Sequence, residues 1–565
     1  MPNKIAFATY ETPFAPCGGI AAVMAHLPQV LQQSTGLDTL TITPYHHQIE
    51  KTTCLKTDRA GRVNVLWDST SIPVHIHRYQ NHSFFLAPED RRFFAGDRHP
   101  YDLAHLEGGL AANLSRDALF FGAAVVAALP AISPDTTWTL LLQDWEAATA
   151  ALVLAGRNHA HRISLTLHNS YDSEPLGDDH LRRAGINPAH CPGPDASPKA
   201  SVLERALPLV SDPIFTVSRQ FALDLTEEVL QRQVMADHLQ EGLKGRLVGV
   251  DNGPFADLAV DLDLVDAAGD GNFAALKEWK EARRGEALDA LEVLATAAER
   301  PVWGDLTQFD GDEEVPWFML AGRDDPRQKG YDVAAQAIAR FLEDGGEARF
   351  LCFPIPGDEG VAGLGFLRGL AERFPTSVLA LPFLFKEGFI AVLRGSTYGL
   401  MPSLYEPFGM ANEFYANGTV GIGRATGGIA QQIVPLQTAT AFGPAVRART
   451  ARWHAASSHP TGLLFREPDG MPTAVADWQG LIRAAYDRRG GHPDRIEERR
   501  QYPLFQDMAD GLHNAIADGA YLYRTLPHLY YRMLAAGVHH IRDTFSWERA
   551  ADEYARHIAP EAALE

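Results

Sequence analysis

The chain has 565 residues, 46% apolar and 21% charged, an ordinary globular composition that excludes a disordered chain. It carries 50 basic and 71 acidic residues, and the formal charge of −21 argues against nucleic-acid and membrane-surface binding. At about 150 residues per domain, the length allows three or four domains or two large ones.

The chain opens with Lys4-Ile5-Ala6-Phe7-Ala8, which reads as a short strand running into a turn and not as the apolar core of a signal peptide. After the glycine turn Gly18-Gly19, apolar residues at 20, 23, 24, 27, 30 and 31 recur at helical spacing. Val74-His-Ile-His-Arg has the two-residue period of a strand; His75 and His77 share one face, with no ligand-spaced cysteines or carboxylates, so no metal site is expected there or at His46-His47. The longest apolar run, Leu119 to Ile132, contains Pro130 and is too short for a bilayer of ~30 Å.

Further strand-then-helix units follow. Thr139-Leu-Leu-Leu leads into a helix after Asp144, Ile163 to Leu167 into His168, and Pro213 to Val217 into Ser218. Trp317 to Ala321 precedes a helix near Val333, and Phe350 to Pro354, Ser377 to Leu381 and Tyr398 to Pro402 continue the style. Such alternation predicts parallel sheets covered on both faces. One such sheet rarely absorbs more than about 250–300 residues. A break is expected between Asp251-Asn-Gly-Pro and Asp312-Glu-Glu, an acidic stretch with a charged helical segment from Lys277 to Arg284 and the polar loop from Asp310 to Glu314. The charge-dense run from Tyr486 to Arg500 reads as a solvated surface loop, and Ala515 to Ala536 as helix.

The cysteines (17, 54, 191 and 352) lie far apart without a CxxC pair, which suits a reducing compartment. The expectation is a soluble, cytoplasmic protein.

GxxxxGK[ST], HExxH and GxSxG are absent. Four loops carry the candidate chemistry. Cys17-Gly18-Gly19 stands between the first strand and helix, where glycine lets backbone amides approach a ligand and a helix amino terminus favours an anion. His168-Asn169 ends a strand. Gly322-Arg323 through Lys329-Gly330 follows another; its cations suit a diphosphate, Arg as a fork and Lys as a point charge. Pro402-Ser through Glu406-Pro-Phe-Gly409 precedes Thr426-Gly427-Gly428, joining a carboxylate able to hold sugar hydroxyls to a glycine turn able to hold phosphate oxygens.

In this order the motifs resemble those of bacterial and archaeal glycogen/starch synthases, retaining glycosyltransferases of the GT-B architecture. Cys17-Gly-Gly-Ile-Ala is similar to the family's Lys-x-Gly-Gly-Leu turn, Ser115-Arg-Asp-Ala-Leu-Phe-Phe to its Arg-Phe helix, and Gln143-Asp144-Trp145-Glu146 to His-Asp-Trp-His. Leu165-Thr-Leu-His168-Asn169 resembles Phe-Thr-x-His-Asn, Thr216-Val-Ser218 the Thr-Val-Ser strand, and Val250-Asp-Asn252-Gly253 the Asn-Gly-Ile-Asp linker. The 322–330 loop resembles the donor loop, with archaeal-type spacing, and 402–409 with Arg424-Ala-Thr426-Gly427-Gly428 carries the most specific signature. Phe545-Ser-Trp547-Glu and Tyr554 resemble the terminal helix. Roughly 256–312 and 486–540 stand outside the resemblance. The chain departs from the family's pattern at Pro16-Cys17 in place of the lysine, at Ala22, at Glu146 for the second histidine, and at Glu413, seven positions after Glu406 where related enzymes place a glutamate at eight.

The resemblance implies an α/β protein with two doubly wound, Rossmann-like domains facing a deep interdomain cleft. It places an acceptor-side domain at 1–255, completed by a helix over 541–565 that crosses back onto it, and a nucleotide-sugar-binding domain at 256–540. It implies glucosyl transfer from ADP- or UDP-glucose to the non-reducing end of an α-1,4-glucan, without metal or cofactor. His168, Glu406, Arg323 and Lys329 would be catalytic. Gly18, Gly19, Gly409, Thr426, Gly427 and Gly428 would join Arg323, Lys329 and Glu406 in holding the donor, and Asp144, Glu146, Asn169 and Asn252 would line the acceptor side. The alternatives are a same-fold enzyme with another donor or a small acceptor, and a catalytically silent glucan- or partner-binding relative.

Overall fold

The structure, a computed structural model, describes residues 3–52, 55–295, 300–308, 312–357, 360–468, 473–485 and 492–559. Cys54, Asp310, Gly311, residues 486–491 and the last six positions of the expected terminal helix lie outside the described residues. The chain divides into two compact units, 1–255 with 546–565, and 256–545.

The first unit is built on a nine-stranded sheet. Its strands are β1 (Asn3–Thr9), β2 (Thr39–Pro44), β3 (Asp58–Trp67), β4 (Thr70–Tyr79), β5 (Ser83–Pro88), β6 (Thr137–Gln143), β7 (Arg162–Leu167), β10 (Ile214–Thr216) and β11 (Leu247–Gly249), while β8 (Leu176–Gly177) and β9 (Lys199–Ala200) pair separately. The order is β11-β10-β7-β6-β1-β2-β5-β4-β3. Every pairing from β11 to β5 is parallel; β4 runs antiparallel between β5 and β3. From β1 the chain steps to β2 on one side and later to β6 on the other, so the order reverses at β1/β6. In doubly wound sheets, ligands sit at the carboxyl ends of strands flanking such a point.

The helix Gly109–Ile132 is longer than the 119–132 run suggests, and by length and composition it could cross a membrane. Phe120, Phe121, Val125 and Leu129 are buried, and a Cβ at Gly122 would lie 2.4 Å from Thr149 on the helix Asp144–Leu154. That close helix contact places it in the core of this unit.

The C-terminal helix, Trp547–Ile558, begins at Ser546, whose hydroxyl accepts from the Arg549 amide. It packs Ala551, Tyr554, Ala555 and Ile558 with Ile20, Val23, Leu27 and Leu31 of the helix Gly19–Thr35. Trp547 Nε1 donates to Pro254 O at 2.8 Å. Residues 541–544, expected to begin this helix, instead end the preceding one, Pro527–Thr544.

The second unit has a six-stranded, all-parallel sheet: β12 (Trp317–Arg323), β13 (Arg349–Ile355), β14 (Val378–Ala380), β15 (Tyr398–Met401), β16 (Val420–Arg424) and β17 (Leu463–Phe465). Its order, β14-β13-β12-β15-β16-β17, reverses at β12/β15.

Two sequence expectations are corrected here. The helix expected over 515–536 is two, Pro503–Thr525 and Pro527–Thr544, because Pro527 cannot continue the backbone hydrogen bonding and restrains Leu526 before it. The run to Arg500 is not a solvated loop throughout: 492–500 is helical and Arg499 is fully buried, since its charge has an internal partner. Likewise, Lys280 and Arg284 of the charged segment are buried on the helix Ala274–Ala295. Lys280 Nζ donates to Arg394 O and Gly418 O, and Arg284 donates to Asp312 O, Val315 O and the Thr397 hydroxyl.

Candidate functional site

Each unit presents polar loops at its own reversal point. In the second, β12 ends at Arg323 and β15 at Met401, so the 324–330 and 402–409 loops leave neighbouring strands. They are joined directly: Leu404 N donates to Gln328 O at 2.7 Å, and a Cβ at Gly330 (φ 65°) would lie 2.4 Å from Pro402 O. Glycine is needed there for conformation and for space. Lys329 Nζ donates to Glu406 Oε2 at 2.6 Å, and the Ser403 hydroxyl donates to the same oxygen at 2.9 Å. Gln328 Nε2 lies 3.5 Å from Glu406 Oε1. Arg323 is partly exposed, 3.8 Å from Asp325.

The third loop, 425–428, follows β16 and lies against the second. Gly427 has φ 45°, and a Cβ there would fall 1.6 Å from Glu406 O. The Gly428 amide, expected to face phosphate, donates to Glu406 O at 3.2 Å, so it fixes the backbone of the carboxylate. Thr426 N donates to Arg424 O, and Gly409 (φ 95°) turns the chain after Phe408. Beneath this loop Arg424 is completely buried. Its guanidinium bonds both oxygens of Glu467 and also Leu404 O. Burial would raise the Glu467 pKa, but Arg424 and Arg466 outweigh it and hold the carboxyl at about 2.

In the first unit the register aligns Thr9, Gln143 and Thr166 across β1, β6 and β7, so Glu11, Asp144 and His168 emerge side by side. Glu11 is buried, and its Oε2 accepts from the Cys17 amide at 3.0 Å and the Gly18 amide at 2.6 Å. Tyr101 donates to Glu11 Oε1 at 2.9 Å. The Gly18 amide expected to approach a ligand therefore holds a carboxylate of this chain. Gly19 opens the following helix.

Asp144, at φ 61°, accepts from the His168 amide at 2.6 Å. Burial pushes its carboxyl up to about 8, with the charge of Glu11 adding to the rise. Glu146 is raised well above the carboxylate range by burial, with Asp144 and Glu11 contributing. Burial lowers His168 to about 3, so the ring is neutral; Nε2 lies 2.7 Å from Gln143 Oε1, which makes it the protonated nitrogen. A neutral ring acts as a hydrogen-bonding group and supplies no positive charge.

Asn169 Oδ1 accepts from the Ser170 amide, and Asn252 is buried between Asp251, which pairs with Arg219, and Gly253, which packs on Trp547. The structure thus brings Arg323, Lys329, Glu406, Gly409, Thr426, Gly427 and Gly428 together in one unit. Gly18, Gly19, Asp144, Glu146 and His168 gather in the other. Sequence reasoning missed Glu11 and Tyr101, and Glu467 beneath Arg424; a carboxylate seven residues before a glycine turn was the one signal for the first. Among the described residues, no group of three or more His, Cys, Asp or Glu side chains is placed to hold a metal ion.

Residues 4–244 match the family model of the starch synthase catalytic domain. Glycogen synthase 2 of Agrobacterium fabrum is 26% identical over 442 residues, covering 75% of this chain and 77% of the relative. A glycogen synthase of Haemophilus influenzae is 25% identical over 487 residues, covering 83% and 91%. Among solved structures, the catalytic domain of starch synthase IV from Arabidopsis thaliana, bound to ADP and acarbose, superposes with a TM-score of 0.60 at 18% identity, covering 94% of this chain and all of that one. The matched catalytic-domain model, the relatives aligned along most of the chain and the doubly wound sheets support a glycogen/starch synthase-like hexosyltransferase with the GT-B fold.

Proposed function

We propose that the protein is a retaining glucosyltransferase that moves glucose from ADP- or UDP-glucose to the non-reducing end of an α-1,4-glucan, in the cytoplasm. The observation that carries this reading is the Lys329–Glu406 pair on joined loops at the β12/β15 reversal point. When the C1–O bond to the diphosphate breaks, negative charge builds on the leaving group. Arg323 and Lys329 neutralise it, and they act more strongly on that charge than on the ground state, which is what speeds the step.

Glu406 takes the sugar hydroxyls as paired acceptor bonds, its backbone fixed by Gly428 and its loop by Arg424. Gly409, Thr426 and Gly427 shape the turn around it. In the first unit, His168 supports the reacting sugar as a neutral hydrogen-bonding group, and Asp144, Glu146, Asn169 and Asn252 serve the acceptor side; a neutral imidazole and protonated carboxyls hydrogen-bond sugar hydroxyls without adding charge. Neither metal nor cofactor enters this scheme.

The test is a panel of ADP-, UDP- and GDP-sugars monitored for nucleotide release with and without glycogen. Glycogen-stimulated release from ADP- or UDP-glucose is expected, with ADP-glucose tried first because the Arabidopsis neighbour holds ADP. Release that glycogen does not stimulate would remove the glucan acceptor, and no release from any donor would remove the reading altogether.

A further inference from the structure

The 324–330 loop stands on a side chain from the 486–540 stretch, which carries none of the motifs on which the family resemblance rests. Arg499, on the helix His492–Arg500, and Asp332, in the first turn of the helix Tyr331–Glu343, are both fully buried. Arg499 Nε donates to Asp332 Oδ2 at 2.6 Å and Nη2 to Pro326 O at 2.9 Å, while Nη1 donates to Leu481 O at 2.6 Å. One planar guanidinium therefore grips the chain three residues before Lys329 and three residues after it.

The loop between these grips is tightly wound. The Gln328 and Lys329 amides both donate to Asp325 O, at 3.0 and 2.8 Å, and Asp324 N is tied to Ile355 O of β13. From Pro326 the path runs through Gln328, whose carbonyl accepts the Leu404 amide, to the loop of Glu406.

We infer that Arg499 is a positioning residue: it sets where Lys329 and Arg323 stand relative to Glu406 and so tunes the grip on a nucleotide diphosphate. The inference rests on the donor reading of this loop. It follows from geometry that lysine cannot copy, because an ammonium lacks the fork that reaches a carboxylate and a carbonyl in one plane. Arg340 supplies the contrast. It leaves the same helix to bond Asp510 and Gln506 and makes no bond to residues 324–330.

The experiment compares the full-length protein with Arg499→Lys, Asp332→Asn, Arg340→Lys and Lys329→Ala. It measures amide hydrogen exchange over 324–332 and 402–409 and the affinity for ADP and UDP by calorimetry. Arg499→Lys should speed exchange at Gln328, Lys329 and Leu404 at least tenfold and weaken the preferred nucleotide about tenfold, while Arg340→Lys changes neither. If Arg499→Lys does not fold, Asp332→Asn, which keeps the bond to Pro326 O and weakens the other grip by removing the charge and one acceptor oxygen, should shift both readouts in the same direction by less. Unchanged exchange in both variants overturns the inference. So does faster exchange with unchanged affinity when Lys329→Ala does weaken binding. If Lys329→Ala also leaves affinity unchanged, the donor reading falls, and exchange alone reports that failure separately from the bracing.

Discussion

The two units solve the same topological problem with different charge: cations in one, and buried groups held largely uncharged in the other. Each places its loops where a parallel sheet reverses its strand order. At β12/β15 the loops carry Arg323 and Lys329, the lysine held against Glu406; at β1/β6 they carry Glu11, Asp144 and Glu146, with a neutral His168 beside them. Both have a glycine turn next to a strand end, yet one turn fixes the backbone of a carboxylate and the other accepts a carboxylate into its amides. Topology fixes where a ligand can sit, and side-chain charge decides which part of it is welcome.

The largest effect that would sharpen this contrast lies beneath the second unit's loops. Arg424→Met leaves Glu467 as a buried charge without its main partner and should cost about 3–5 kcal/mol of stability by denaturant unfolding. Arg424→Met with Glu467→Leu should recover most of that loss. If the double variant regains stability but not nucleotide release, the bond to Leu404 O is needed to hold the Glu406 loop in place. If stability does not return, packing around Trp478, over whose ring the guanidinium lies, matters more than charge.

Next in size, Lys329→Ala removes the cation aimed at developing negative charge and should lower turnover by a factor of about 10² or more. Arg323→Ala should behave similarly. Near-normal rates in both would erase the electrostatic contrast on which the donor assignment stands.

Strands and loops were legible in the sequence because strand and helix periods alternate so regularly. Ile5 to Ala8, Thr139 to Leu142 and Trp317 to Ala321 all fall within strands of the parallel sheets. Basic residues in a chain of charge −21 also mark the 322–330 loop in the sequence alone. What escaped were contacts distant in sequence. Nothing local says that Arg499, in a run dense with charge, buries itself against Asp332 167 positions away. Nor does a glycine pair announce that Glu11 fills its amides. The first is a tertiary pairing that overrides the usual exposure of charge, and the second depends on where β1 ends.

A third, smaller effect concerns acidity in the first unit. An unfolded Asp titrates near ~3.9, whereas folded Asp144 titrates at about 8. Between these values the folded state holds a proton that the unfolded state has released. Stability therefore falls as pH rises, by up to ~1.4 kcal/mol per unit, until the folded group ionises above pH 8. Asp144→Asn keeps an acceptor for the His168 amide and tolerates the positive φ. Its loss of unfolding free energy between pH 6 and 8 should be smaller than the native protein's by about 1–2 kcal/mol. Glu146 titrates in the same direction, so some slope remains. Identical slopes would mean that Asp144 is ionised in the fold, and the proposed uncharged acceptor surface would lose its main support.

The smallest effect addresses the position where the family's lysine is replaced. If the Gly18-Gly19 turn faces donor phosphate, Cys17→Lys should tighten donor binding, since a charged contact in a partly dry cleft is worth ~1.5–3 kcal/mol, about one to two decades. The structure reduces that expectation. Glu11 already accepts from the Cys17 and Gly18 amides, so an ammonium at position 17 would begin within reach of a carboxylate and be neutralised by it. The single variant should therefore gain less than about one decade. Glu11→Gln combined with Cys17→Lys removes the competing anion and should gain more than the sum of the two single changes, because the partners interact directly. Calorimetry with the preferred nucleotide sugar measures all four proteins. Strict additivity would show that Glu11 does not screen position 17. No gain in any variant would show that this turn does not meet the phosphate at all, and the carboxyl-lined edge of the first unit would then belong to the acceptor alone.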